Sequence, residues 1–78
     1  ESGPTAKLTD EQKARVAELD RKYDAQVAEK RLAFEDRLAH ASSPAESDRI
    51  QAELASELAD IENRRQQDKE AIWREAQG

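Results

Sequence analysis

The sequence predicts an all-α fold: an antiparallel hairpin of two long helices that dimerises into a four-helix bundle or coiled coil. Three observations carry this. Ala, Glu, Lys, Leu and Arg supply 44 of the 78 residues, above the roughly 50% found in coiled coils and long helices. Gly and Pro occur only at Gly3, Pro4, Pro44 and Gly78, so two long stretches run without a helix breaker. Apolar residues recur at helical spacing in both stretches, in registers that fold one onto the other.

Residues 1–8 contain Gly3 and Pro4 and read as a flexible lead-in to a single hairpin domain over 9–77. The first helix is expected over about 9–41. It opens on "LTDEQ", where Thr9 serves as N-cap and Gln12, three residues on, reaches back to it in a capping box. Asp10 and Glu11 add negative charge where the helix dipole is positive. The reversal is expected at Ala41, Ser42 and Ser43. The second helix then runs over 44–77, with Ser43 as N-cap, Pro44 in the first helical position and Glu46 as the returning partner to the Ser43 N–H. Each cap contributes about 1 kcal/mol.

Inward positions on the first helix are Leu8, Gln12, Val16, Leu19, Tyr23, Val27, Lys30, Phe34, Leu38 and Ala41. On the second they are Ile50, Leu54, Leu58, Ile61, Arg65, Lys69, Ile72 and Ala76. The steps run four, four, three, which is an eleven-residue repeat; at about 3.67 residues per turn it gives nearly straight or slightly right-handed helices. Folding at Pro44 sets Leu38 against Ile50, Phe34 against Leu54, Lys30 against Leu58, Val27 against Ile61, Tyr23 against Arg65, Leu19 against Lys69 and Val16 against Ile72. The predicted hairpin core is therefore Val16, Leu19, Tyr23, Val27, Phe34, Leu38, Ile50, Leu54, Leu58, Ile61 and Ile72. Lys30, Arg65 and Lys69 lie on the seam with their charges expected to reach water.

A second set of small and apolar residues comprises Ala25, Ala28, Leu32 and Ala39 on the first helix and Ala52, Ala55, Ala59 and Trp73 on the second. One hairpin cannot cover these as well as its own seam. Ala25, Ala28, Leu32, Ala52, Ala55, Ala59 and Trp73 are accordingly expected at an oligomer interface, a dimer being favoured. Oligomerisation also suits a short chain with 40% charged residues and no Cys, which has neither a large core nor disulfides to hold it. Glu11–Arg15, Glu18–Lys22, Asp60–Arg64 and Glu70–Arg74 are spaced for acid-before-base pairs along the helices. Arg64, Arg65, Lys69 and Arg74 form a mildly basic stretch, interrupted by Asp68, Glu70 and Glu75 and expected on a solvated face.

The net charge of −5 argues against nucleic acid as a partner. No run of about 18 apolar residues exists, so no membrane insertion by this segment is expected. His40 is the sole histidine; its place in the last turn of the first helix, four residues after Asp36, suits a capping cation better than a metal ligand. Ser42, Ser43, Ser47 and Ser56 have no base arranged beside them, and no Gly-rich phosphate loop is present. No enzymatic activity, catalytic residue, metal site or cofactor is expected. The sequence instead points to a non-enzymatic oligomerisation or structural interaction module.

"LTDEQ" at 8–12 also resembles the LTxxQ motif of the periplasmic Spy and CpxP stress proteins, with Leu8, Thr9 and Gln12 at the matching positions. The layout is similar too: motif, long helix, reversal, and a long charged helix ending near an aromatic in "KEAIWREA". The resemblance implies a periplasmic all-α dimer that binds unfolded clients or a sensor protein without ATP. This chain differs from that family in having no Met and an acidic balance.

Overall fold

The computed structural model describes residues 7–77, which form two α-helices packed against each other as a hairpin. α1 spans Asp10–Ala39 and α2 spans Pro44–Gln77. The lead-in expected over 1–8 lies outside the described residues except for Lys7 and Leu8. No described residue has a positive φ, so the reversal is made without glycine.

α1 ends two residues before the expected position 41. Pro44 disfavours the helical region for Ser43, so the chain must leave the helix before the proline. It does so at His40 (φ −102°, ψ 6°), whose N–H turns to the carbonyl of Arg37 at 3.2 Å. The Ala41 N–H follows to the Leu38 carbonyl at 3.2 Å. These tighter bonds satisfy carbonyls that the helix end would leave unpaired.

Among the described residues five side chains are buried: Tyr23 and Phe34 on α1, and Ile50, Ile61 and Ile72 on α2. Within each helix they step by eleven residues, which is three turns and returns a side chain to the same face. Val16, Leu19, Val27, Leu38, Leu54 and Leu58 flank this ladder and are half-buried. The reason is geometric, since each helix covers only one side of the other and leaves the seam's edges wet. The molecule is a rod of 61 × 20 × 17 Å. It exposes 5852 Å², against about 4,800 Å² for a compact monomer of its mass.

The two edges of the seam differ. At about 100° per residue, Arg15, Lys30 and Arg37 point to one side of the hairpin, as do Glu75, Glu57 and Glu53 from α2. They meet across the seam: Arg15–Glu75 at 2.8 Å, Lys30–Glu57 at 2.7 Å and Arg37–Glu53 at 2.9 Å. These straps keep the expected helix register to within about one turn. The opposite side carries Asp20, Asp24, Glu62 and Trp73 toward the open end, and Ala28, Ala55 and Ala59 toward the turn.

Candidate functional site

The predicted caps come first, because they fix where each helix begins. At α1 the Gln12 N–H donates to Thr9 Oγ1 at 3.0 Å and the Thr9 N–H donates to Gln12 Oε1 at 2.9 Å. The polar residues of the LTxxQ-like stretch are thus engaged with each other. At α2 the Glu46 N–H donates to Ser43 Oγ at 3.1 Å. The return bond differs from expectation, because the Glu46 carboxylate accepts from Ser42, not from Ser43. Ser42 N–H and Oγ donate to Glu46 Oε1 at 2.8 and 2.7 Å. The bent backbone at Ser43 brings the preceding residue within reach instead. These two donors hold the Glu46 carboxyl below the usual carboxylate range, the hydroxyl first and the amide second. His40 Nδ1 lies 2.8 Å from the Asp36 carbonyl oxygen, so the proton sits on Nδ1 and the ring closes the end of α1.

The charged part of the seam departs most from expectation. Arg65 is not a solvated cation; its side chain is 16% exposed. Its guanidinium donates to Asp20 at 3.2 Å and Asp24 at 2.9 Å on α1, and pairs with Glu62 at 3.3 Å one turn back. Lys69 shares Asp20 at 3.2 Å. The Tyr23 hydroxyl donates to Asp68. Burial in a seam of this polarity is tolerable only with partners, and α1 supplies them at Asp20 and Asp24. Among the described residues Arg65 Nε has no partner. The hydrogen bond to Asp68, with burial second, raises the Tyr23 phenol above its ordinary value. Its bidentate bond to Arg15 holds Glu75 low.

Cross-helix partners also replace some pairs expected along one helix. Arg15 meets Glu75 rather than Glu11, and Glu18 pairs with Arg21, three residues on, rather than with Lys22. Lys22 stands 5.1 Å from the Tyr23 ring centre, and Arg37 stands 4.7 Å from that of Phe34. Sequence reasoning missed Asp20, Asp24 and Asp68. The available signal was their position one to four residues from seam positions that face a cation or a hydroxyl.

The residues assigned to an oligomer interface are all exposed in this hairpin. Leu32 is 67% exposed and Trp73 41%. They do not form one patch. Ala28, Ala55 and Ala59 turn to the same side, with Leu32 at its shoulder. Ala25 and Ala52 point away from the seam on opposite outer faces. Trp73 lies about 21 Å along the axis from Ala59, near Lys7, Leu8 and Lys13, with which it lines a cleft.

Among the described residues no three His, Cys, Asp or Glu side chains converge as a metal site would require. No described helix is long and apolar enough to cross a membrane. No family model, curated protein sequence or solved structure matches the chain.

Proposed function

We propose that the chain is a non-enzymatic oligomerisation module, a helical hairpin whose second layer is another copy of itself. The observation that carries this is the uneven dressing of the two sides. One side is strapped by three cross-helix ion pairs. The other, near the turn, presents Ala28, Ala55 and Ala59 with the exposed Leu32 beside them. Small residues let helix backbones approach closely, and a second hairpin laid on this side completes a four-helix bundle. Two further features support the reading: only five side chains are buried among the described residues, and a rod this polar gains little from its own seam.

Light scattering tests it. A dimeric mass is expected, with a melting temperature that rises with protein concentration. Ala55→Glu or Ala59→Glu is expected to lower both mass and melting temperature, because each places a charge in a close helix contact. A monomeric mass with a concentration-independent melt would refute the proposal.

The periplasmic chaperone or stress-sensing reading stays a second proposal. Its support is the resemblance at Leu8, Thr9 and Gln12. Since Thr9 and Gln12 bond to each other, Leu8 is the matching residue left facing a surface cleft.

A further inference from the structure

We infer that the cleft at the open end of the hairpin docks a short segment of a partner protein that is both acidic and apolar. The cleft has a volume of about 480 Å³ and is lined by Lys7, Leu8, Lys13 and Trp73. It is an open surface depression, mostly apolar in its lining. This inference goes beyond the self-association proposed above and does not depend on it, because the alanine side lies near the turn.

Trp73 supplies the anchor. Its neighbour Ile72 is buried in the seam, and a helix that buries Ile72 turns Trp73 onto the seam's shoulder, where it stays 41% exposed. A large, rigid aromatic held on an ordered helix contributes contact area at little entropic cost, the property that enriches Trp at binding hot spots. Leu8 and the lysine stems extend the apolar floor.

Charge selects the occupant. The protein carries −5 overall, and the cations of its seam (Arg15, Lys30, Arg37, Arg65 and Lys69) are matched with carboxylates. Lys7 and Lys13 flank the exposed indole and, like Lys22, Arg31, Arg49, Arg64 and Arg74, form no ion pair among the described residues. An acidic segment is attracted by these two lysines, and the exposed indole beside them is what sets this place apart from the other unpaired cations. A long polyanion or an anionic membrane meets the repulsion of the whole rod. A second copy docked cleft to cleft brings four lysines together. A short acidic stretch with one or two apolar residues satisfies all of these constraints.

Trp73 is the only tryptophan, so its fluorescence reports the cleft directly. The probe is an N-acetylated, C-amidated tetrapeptide with two aspartates flanking leucine and phenylalanine; the control replaces both aspartates by lysine. Titration of the full chain with the acidic peptide should give a saturable blue shift, and the lysine peptide should give none. The double variant Lys7→Glu, Lys13→Glu should weaken binding about tenfold or more, as loss and reversal of two exposed pairs requires. Leu8→Ala, which keeps both charges, should weaken it several-fold with unchanged helical circular dichroism. Equal response to both peptides, or full affinity in either variant, overturns the inference. So does a blue shift produced by phosphatidylglycerol vesicles but not by the peptide, or one that grows with protein concentration alone, which would assign the cleft to a membrane or to a second copy.

Discussion

Truncating Ile61 to alanine perturbs the seam at the middle of its buried ladder. Ile61 is 3% exposed and lies between Ile50 and Ile72. Three carbons are removed, and at ~0.8 kcal/mol per buried methylene the transfer loss is ~2.4 kcal/mol. In a closed core a cavity penalty would be added. Here Ile61 borders a shallow cleft with Lys30 and Glu57, so side chains and water reach the void and the added cost is small. The expected loss is therefore ~2–3 kcal/mol. A 78-residue chain has a total stability of about 4–12 kcal/mol, and a polar rod belongs near the lower end. The substitution thus removes about half of the stability. With a urea slope near 1 kcal/mol per molar, the midpoint of the helical circular dichroism signal should fall by about 2–3 M. Leu32→Ala, at a 67% exposed site, is the comparison; in an isolated hairpin it should cost less than about 0.5 kcal/mol. A midpoint shift for Ile61→Ala no larger than that for Leu32→Ala would refute the assignment of the seam. A Leu32→Ala loss that grows with protein concentration would instead reveal the second layer.

Ser43→Ala should lower stability by about 0.5–2 kcal/mol, because the Glu46 N–H loses its acceptor; an unchanged urea midpoint would dismiss the cap. Stability should also fall at both ends of the pH scale. Glu46 and Glu75 are depressed below their ordinary value of 4.5, so their contribution is present above that value and is lost as pH falls through the lower folded ones. Tyr23 is raised above 10.0, so its contribution is present below that value and disappears as pH rises through the folded one. Thermal melts across pH check both flanks, and Tyr23→Phe should remove the alkaline loss specific to the phenol. Arg65→Met should stay within about 1 kcal/mol of the parent, since an apolar side chain relieves a desolvated guanidinium and Asp20 keeps Lys69. Arg65→Glu should be strongly destabilising by comparison of melts, because it faces Asp20, Asp24 and Glu62; similar melts for the two variants would mean that the network carries no weight.

What was legible in the sequence was what depends on chain-local geometry. The recurrence of Ile50, Ile61 and Ile72 fixes a face without reference to any partner, and Tyr23 and Phe34 repeat it on α1. The Thr9 and Ser43 caps involve bonds spanning three residues, so their residue types at that spacing suffice. Pro44 shows where α2 begins, but the exact end of α1 depends on how the carbonyls of Arg37 and Leu38 are satisfied. The charged seam was only half legible. Spacing put Arg65 and Lys69 on the inner face, yet their carboxylate partners lie on the other helix and at positions just beside the stripe. Which edge they occupy depends on the rotation of the two helices about each other.

The same rotation explains why Ala25, Ala28, Leu32, Ala52, Ala55, Ala59 and Trp73 read as one set and separate in space. Position along the chain gives a residue's angle from its own seam. It gives no common side until both helices are placed antiparallel, where equal angular offsets from the seam turn to the same side of the hairpin. On that basis Ala28, Ala55 and Ala59 form a shared surface, whereas Ala25 and Ala52 face apart and Trp73 belongs to the open end. The rod therefore carries two exposed features of opposite character: uncharged small residues near the turn, where a helix can approach closely, and an indole between two lysines at the open end, where a carboxylate is favoured. Ala59→Glu should act on the first and leave the Trp73 titration intact, and Lys7→Glu with Lys13→Glu should weaken that titration about tenfold or more without changing the mass. Coupled loss of both properties in either variant would mean that a single interface, not two, covers this side of the hairpin.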